Sequence, residues 1–461
     1  MRRIDPDQSL VMKISHFRSK LAAGAVAFVS TFQCIPATAV DVPLPETELP
    51  ALRDLVGSAL SRSPRAIARE LEFMHAEHET LVSSSPLLPR VDGSYDYQIR
   101  QEEVPGLAEQ QTVQRTFYNL SISQPLWHWG SLRATSRVGR LGRDVAEQNL
   151  NATRRELALE VRDAYLALIV QKLAVRNARF NEKVFKDSLA IQETRFKANE
   201  ITQGFLEDFR LRANEVSLAT EMAASNLEFA VRAFRHLTGV DGFSESDIPE
   251  AIPAPAVDAR PEIPDGSTGY LKSEALLTKE LEIQQGKLNY KINRNTLWPK
   301  LNAMAGVYQD DNLYSANRDQ RLNNTAAYVG IHVQWSIFDG FASKGRRLQS
   351  RARIRQLEET RSDLLEALKD SADRQAAAVG FTWQTHRIAA VRHQYAVGGL
   401  AYEKDNLTRG LSSEEQIANA QAALNHAELV ANDALAKFYS AAARYASSMR
   451  ADPLIDGTNE N

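Results

Sequence analysis

The side chains best suited to chemistry in this chain are charged groups and histidines that recur at helical spacing. His75 and His78 stand three positions apart, so on one helical turn they could bind a metal ion together. No carboxylate or third histidine is placed to complete that site. The sequence also contains no phosphate-binding loop, nucleophile motif or cysteine–histidine pair for catalysis. We therefore expect no enzyme, no metal site and no cofactor.

Charged residues gather in four short segments. The acidic segments hold Glu200, Glu207 and Asp208, then Glu414 and Glu415, and the basic segments hold Arg133, Arg137 and Arg140, then Lys344, Arg346, Arg347 and Arg351. Carboxylates attract cations, and guanidinium groups bind phosphates. A solvated helix face is the alternative explanation for every one of these clusters.

The overall composition excludes several classes of protein. Lys and Arg number 55 and Asp and Glu number 58, and the resulting charge of −3 argues against a dedicated nucleic-acid binder. A single cysteine, Cys34, excludes a disulfide framework and a cysteine-rich metal site. Beyond residue 39 no apolar run approaches the roughly 18–20 residues that a membrane-spanning helix needs.

Residues 1–39 have the order of a secretory signal peptide. Basic residues lie within Arg2–Lys20, an apolar stretch follows at Leu21–Val29, and Ala37 and Ala39 supply the small residues of a cleavage site. Cleavage after Ala39 would leave a mature chain without cysteine. In the rival interpretation Cys34 carries a lipid, although the bulky Gln33 stands where a small residue is expected before a lipidated cysteine. Met12 is an alternative initiator.

The remaining chain consists of two similar halves. Three blocks recur in the same order about 210 positions apart: Leu88–Arg90 with Trp298–Lys300, Leu120–Trp127 with Ile331–Phe338, and Phe196–Asn199 with Leu407–Gly410. The first pair is offset by 210 positions and the other two by 211, so one inserted residue accounts for the difference. Three blocks in one order and spacing indicate an internal duplication.

Each half is predicted to contain two strands and a long helical hairpin, which gives an α+β fold dominated by helices. The predicted parts are a first repeat at 40–239 (strands at about 89–100 and 114–124, helices at about 131–195 and 205–238), a proline-rich connector at 240–269, a second repeat at 270–450 (strands at about 300–310 and 325–336, helices at about 343–402 and 412–449), and a disordered tail at 451–461.

The predicted strands alternate apolar and polar residues, as membrane β-strands do. Tyr95 and Tyr97 alternate with Asp96 and Gln98, for example, whereas the third strand is less regular because Met304 and Tyr308 share the face of a polar asparagine. Four strands cannot close a barrel within one chain, since the smallest single-chain barrels have about eight. The predicted helices of roughly 65 residues would each be about 100 Å long, too long for one globular core.

The chain resembles the TolC-like outer-membrane efflux proteins across nearly all of its predicted mature length. The resemblance rests on Leu120–Trp127 with its repeat Ile331–Gly340, on the turn blocks Phe196–Thr202 and Leu407–Ser413, and on Leu237–Gly239 at the end of the first half. The sequence departs from the family pattern where Ser336 replaces a proline, Asn199 replaces a turn glycine, and His128-Trp129 replaces Asp-Gly. Asparagine tolerates the left-handed conformation of a turn glycine, so Asn199 weakens the match only slightly.

The resemblance implies a homotrimer in the Gram-negative outer membrane. Three chains would each contribute four strands to one twelve-stranded barrel, which continues into a periplasmic α-helical barrel. The implied partners are a periplasmic adaptor protein and an inner-membrane ABC or proton-driven transporter, besides the outer-membrane lipid. Such a channel carries out no reaction, and the transporter supplies the energy.

The resemblance also implies roles for the charged segments. The turns between long helices would form the periplasmic tip, where the adaptor docks on Asn199, Thr202, Gly410, Leu411, Ser412 and Ser413. The acidic residues beside these turns would form a cation-attracting entrance. The basic segments would lie just below the membrane, where they could contact inner-leaflet phosphates or line the neck of the tunnel.

The sequence does not distinguish between three classes of cargo, namely proteins, drugs and metal ions. Without a lipid anchor the chain fits type I protein secretion, with multidrug or metal efflux as the alternative. A soluble periplasmic coiled-coil adaptor is the alternative from another class, although four amphipathic strands joined by polar loops (Gln101–Thr112 and Asp311–Asn324) do not suit an adaptor.

Overall fold

The computed structural model describes residues 43–102, 111–255, 268–314 and 321–456. The predicted signal peptide, with Met12 and Cys34, lies outside the described residues, as do parts of both polar strand–strand loops and of the predicted connector. Among the described helices, none has both the length and the apolar character needed to cross a membrane.

The described residues form eight α-helices and four β-strands. They are α1 (Pro45–Glu48), α2 (Pro50–Arg62), α3 (Pro64–Ser84), β1 (Arg90–Glu102), β2 (Gln111–Trp127), α4 (Ser131–Lys197), α5 (Gln203–Thr238), α6 (Glu274–Arg294), β3 (Lys300–Tyr314), β4 (Arg321–Gln334), α7 (Ala342–Thr408) and α8 (Glu414–Ser448). Both halves have the same order of two strands and then a helical hairpin, preceded by three helices in the first half and by one in the second.

The two long helices α4 and α7 each contain 67 residues, which corresponds to about 100 Å. Neither contains a proline, and both begin after a pair of residues in the left-handed conformation. These residues are Trp129 and Gly130 before α4 (φ 54° and 75°), and Gly340 and Phe341 before α7 (φ 62° and 67°). The two strand-to-helix turns therefore share one backbone geometry at an offset of 211 positions.

The strands form one antiparallel sheet in the order β1-β2-β3-β4. Leu120 of β2 lies opposite Gly93 of β1 and Val307 of β3, and Val307 lies opposite Ala327 of β4. Opposite residues share a face, so the register gathers the apolar side chains of all four strands on one side. That face carries Val91, Tyr95, Tyr97, Ile99, Tyr118, Leu120, Ile122, Ala305, Val307, Val329, Ile331 and Val333.

The third strand has the mixed polar face that its sequence indicated. Ala303, Ala305 and Val307 lie on the apolar face, while Met304 and Tyr308 lie on the other. The Tyr308 ring packs 6.0 Å from Phe117 and 6.5 Å from Tyr328 (centroid to centroid), so aromatic partners on neighbouring strands hold it on the polar face.

The main hydrophobic core lies around the middle of α4, where α2, α5 and α8 pack against it. Tyr165 of α4 is 1% exposed and its ring lies 6.0 Å from that of Phe234 on α5. Trp383 of α7 and Phe438 of α8 pack in the same core with ring centroids 5.0 Å apart. Both helical hairpins are thus joined by one core.

The prediction of a disordered tail from residue 451 is wrong for residues 451–456. Asp452 is fully buried, and its carboxylate accepts hydrogen bonds from Nη1 and Nη2 of the equally buried Arg162 at 2.6 and 3.1 Å. The Asp456 carboxylate pairs with Arg155. Residues 451–456 are therefore ordered by two acids that pair with buried arginines of α4 and by Ile455, which packs into the main core.

Candidate functional site

The first helix-to-helix turn joins α4 to α5. Asn199 takes the left-handed conformation with φ 60°, as predicted for a residue in the place of a turn glycine. The Thr202 side chain caps α5 by accepting a hydrogen bond from the backbone N–H of Phe205 at 3.3 Å. This turn thus reverses the chain with polar, exposed residues at its apex.

The second helix-to-helix turn joins α7 to α8 in the same way. Gly410 has φ 73°, and Ser413 and Gln416 form a capping box at the start of α8. The Ser412 hydroxyl donates a hydrogen bond to Glu403 at 2.6 Å, which ties the turn to the last part of α7. Leu411 in this turn is 73% exposed. The predicted docking residues therefore form two separate exposed groups, one at each turn.

The predicted entrance acids are all exposed, but their charges are not equivalent. Glu207 pairs with Arg210 and Asp208 with Arg212, each at 3.0 Å along one turn of α5. Glu200, Glu414 and Glu415 form no ion pair with any residue that the structure describes. The uncompensated negative charge therefore lies on these three residues.

The predicted basic neck begins both long helices. On α4, Arg133, Arg137 and Arg140 are exposed and form no ion pair within the described part of the chain. On α7, Arg346 lies 3.2 Å from the Asp339 carboxylate, and Arg351 donates a hydrogen bond to the Tyr290 hydroxyl at 2.9 Å. Of the two other basic residues of this segment, Lys344 is exposed and Arg347 is partly buried.

Asp339 holds the start of α7 in place. Its carboxylate accepts hydrogen bonds from the Ser343 hydroxyl and from the Ser343 backbone N–H, the latter at 2.9 Å. These bonds, with a smaller contribution from Arg346, keep the pKa of the carboxyl group below its usual value. At neutral pH the first-turn N–H of α7 is therefore satisfied by an ionised side chain.

The predicted histidine pair does not acquire further ligands. His75 and His78 are exposed on α3. Within the described ranges, no group of three or more His, Cys, Asp or Glu residues could hold a metal ion.

The polar face of the sheet carries a charged cluster that the sequence did not predict. Arg115 on β2 and Asp310 on β3 form two parallel hydrogen bonds of 2.8 Å, and the guanidinium also lies over the Phe117 ring at 5.1 Å. These residues are 195 positions apart, so only the strand register brings them together.

Part of the sequence is similar to a known protein family. Residues 55–240 match the model of the family described as outer membrane efflux protein. No curated protein matches the chain significantly.

Solved structures share the fold over most of the chain. The CmeC outer membrane channel of Campylobacter jejuni is 15% identical, with a TM-score of 0.71 over 87% of this chain and 85% of that chain. The outer-membrane channel OprN is 14% identical, with a TM-score of 0.70 over 91% and 94%. The outer membrane protein VceC of Vibrio cholerae is 13% identical, with a TM-score of 0.67 over 88% and 98%. The predicted resemblance and the predicted fold of the chain are confirmed.

Proposed function

We propose that this chain, which resembles the TolC-like outer-membrane efflux proteins in sequence over residues 55–240 and in fold over most of its length, is the outer-membrane exit duct of a tripartite export system. Three copies together form the duct. Each contributes its four strands to a twelve-stranded barrel in the outer membrane, and α4, α5, α7 and α8 continue the wall into the periplasm.

The exposed apolar face of the sheet is the observation that carries this proposal. Val329, Ile331 and Ile99 are 87%, 66% and 63% exposed, although they belong to hydrogen-bonded strands. A continuous apolar surface of this kind marks a partner or a lipid environment rather than water. Lipid contact requires that no strand edge remains unpaired, so β1 and β4 must be closed by further copies.

The opposite face of the sheet is suited to a water-filled lumen. It carries the Arg115–Asp310 pair together with serines, asparagines and glutamines from the alternating positions. A sheet that is apolar on one side and polar on the other is the pattern of a membrane barrel with an aqueous interior. This sheet argues against the alternative class of protein, a soluble coiled-coil adaptor, which does not need one apolar and one polar sheet face.

The helical hairpins determine where the partners act. Their turns, with Asn199 and Thr202 on one side and Gly410–Ser413 on the other, are the surfaces for a periplasmic adaptor. An inner-membrane ABC or proton-driven transporter supplies the energy. The basic neck lies where the helices leave the sheet, next to the inner-leaflet phosphates.

The cargo that we propose is a secreted protein delivered by a type I system. This choice rests on the predicted absence of a lipid anchor. Multidrug or metal efflux is the alternative, and the identity of the inner-membrane transporter that copurifies with the duct decides between them.

The entrance acids provide a test of the duct by its selectivity. Glu414→Gln together with Glu415→Gln removes six unpaired carboxylates from a trimer, so we expect the ratio of cation to anion permeability to fall by roughly twofold or more in planar lipid bilayers. The matched control is Asp208→Asn with Arg212→Gln, which removes an acid together with the arginine paired with it and leaves the net charge unchanged. The control should change the ratio much less.

Two outcomes would contradict this assignment. If the Glu414→Gln, Glu415→Gln variant forms an intact trimer with unchanged ion selectivity, Glu414 and Glu415 do not line the entrance. The absence of any single-channel conductance from the purified wild-type protein in bilayers would count against the duct itself.

A further inference from the structure

The first strand-to-helix turn encloses a cavity where the sheet meets the helices. The cavity has a volume of about 440 Å³ and is lined by the end of β2, the turn and the start of α4, with Trp127, Gly130 and Arg133 among the lining residues. Small-ligand pockets typically measure about 300–1,000 Å³. Trp127 lies opposite Leu301, which belongs to the apolar face of the sheet. The cavity therefore opens beside the apolar face.

Trp129 fixes the shape of this cavity. Its ring packs against those of Trp127 and Trp298, with centroids 5.8 and 4.4 Å away. Its indole N–H donates to the Pro299 carbonyl at 2.8 Å, and its own carbonyl accepts a hydrogen bond from the Asn295 side chain at 3.0 Å. Because Asn295 directly follows α6, these contacts fasten the end of α6 to the turn. The cavity is thus preformed.

Two cations lie at this cavity. Arg133 lines it and is exposed. Lys291, in the last turn of α6, reaches over the strand-to-helix turn, where its Nζ atom lies 3.5 Å from the position that a β-carbon on Gly130 would take. Neither Arg133 nor Lys291 forms an ion pair with any residue that the structure describes. Two uncompensated positive charges therefore meet beside aromatic walls.

The second repeat shows what the start of a long helix binds in this fold. Both long helices begin after a pair of left-handed residues at equivalent positions. At α7 the Asp339 carboxylate accepts a hydrogen bond from the Ser343 backbone N–H at 2.9 Å and lies 3.2 Å from Arg346. A carboxylate of the protein itself thus occupies the position that favours an anion at this helix start.

The first repeat has no carboxylate at the equivalent position. His128 stands 211 positions before Asp339, and no described side chain caps α4. The His128 Nε2 atom is instead hydrogen-bonded to the Asn302 Oδ1 atom at 2.9 Å. The replacement of Asp-Gly by His128-Trp129 therefore leaves the start of α4 without an anion of its own, next to Arg133.

We propose that this cavity binds the phosphate of an anionic glycerophospholipid between Arg133 and Lys291, with the acyl chains passing Trp127 along the apolar face. A lipid suits the cavity better than a free anion, because the apolar face continues from its mouth. A phosphoglycerol headgroup suits it better than a zwitterionic one, whose ammonium group would meet two cations. The inference rests on the proposed duct, which places the apolar face in lipid, and adds one lipid site per chain, in the first repeat.

Lipid binding to the purified, delipidated particle tests this proposal. Native mass spectrometry counts the bound phosphatidylglycerol molecules, and we expect three tightly bound molecules per wild-type trimer. Replacing both Arg133 and Lys291 by glutamine should weaken this binding roughly tenfold or more, because two charge-assisted contacts are lost. The matched control is Arg392→Gln with Lys404→Gln, which removes one exposed arginine and one exposed lysine near the far end of α7. The control should bind phosphatidylglycerol like the wild-type protein.

A substitution at His128 tests the anion position without removing a cation. His128→Asp supplies a carboxylate at the position equivalent to Asp339, so it should cap α4 and weaken phosphatidylglycerol binding. His128→Asn, which adds no charge, should keep the binding of the wild-type protein. Equal binding by these two variants would contradict an anion position at the start of α4.

Two competing probes identify the ligand class. Phosphatidylethanolamine and inorganic phosphate should each compete with phosphatidylglycerol only weakly. Equal competition by inorganic phosphate would overturn the lipid assignment, and equal affinity of the wild-type protein and the Arg133, Lys291 variant for phosphatidylglycerol would overturn the site. Both results leave the duct intact when the trimer retains its single-channel conductance. A monomeric particle without conductance would overturn the duct itself, on which the lipid site rests.

Discussion

Replacing Arg162 by methionine is expected to lower the free energy of unfolding by about 3–5 kcal/mol. The Arg162 side chain is fully buried on α4 and pairs with Asp452 and with Glu46. Burial alone would lower the pKa of Arg162, but its hydrogen bonds to Asp452 and the charges of both acids outweigh burial and raise it. The substitution leaves two carboxylates without a cation in the core, and this desolvated charge produces the loss.

Guanidinium unfolding of the detergent-solubilised protein measures this effect, and two further variants control it. Arg444→Met removes an arginine whose pair with Asp163 is largely exposed, so its cost should stay below about 1 kcal/mol. Arg162→Met combined with Asp452→Leu should recover part of the loss, because one of the two orphaned acids is then absent. Equal stabilities of the Arg162 and Arg444 variants would contradict a stabilising role for the buried network.

Replacing Ile331 by arginine is expected to reduce assembly into the outer membrane severely. A charged arginine on the lipid side of a barrel costs about 2–4 kcal/mol near the bilayer midplane, and a trimer would carry three of them. The measurement is the fraction of protein that stays with outer membranes after salt and carbonate washes. The variant should be largely absent from that fraction, whereas the wild-type protein should remain in it.

The neighbouring position supplies the control for this experiment. His332 lies on the opposite face of β4, across from Asn302, so His332→Arg places the same charge toward the proposed lumen. We expect this variant to be retained like the wild-type protein. Full retention of Ile331→Arg would show that the apolar face does not contact lipid.

The elements of the fold could be predicted from sequence because their signals are local. Alternating residues such as Tyr95–Gln98 predicted strands, and α4 was predicted at about 131–195 and is observed at Ser131–Lys197. The third strand was harder to interpret, because its aromatic residue Tyr308 owes its polar-face position to rings on two other strands. Local alternation cannot report such a contact.

The buried ion pairs could not be predicted because their partners are distant in sequence. Arg162 meets Glu46 across 116 positions and Asp452 across 290 positions. One local signal was present, since Arg162 stands among the apolar residues Val161, Tyr165 and Leu166 on α4. A charged residue within an apolar stripe predicts a buried counter-ion. Asp452 is such a counter-ion, so this signal argues against disorder from residue 451 onward.

The candidate tip was predicted in part. Asn199 and Gly410 were expected at left-handed turn positions, and both have positive φ. The sequence did not show which acids are neutralised by a cation. Glu207 with Arg210 and Asp208 with Arg212 have the spacing of helical ion pairs, but side chains at this spacing can also point separately into solvent. Docking and selectivity at these residues remain predictions.

The mass of the detergent-extracted outer-membrane particle, determined by light scattering and corrected for bound detergent, tests the central claim most directly. The open edges of β1 and β4 and the exposed apolar face of the sheet call for further copies. The proposed twelve-stranded barrel then requires three chains per particle. A monomer recovered from the soluble periplasmic fraction would contradict the shared barrel and favour a coiled-coil adaptor.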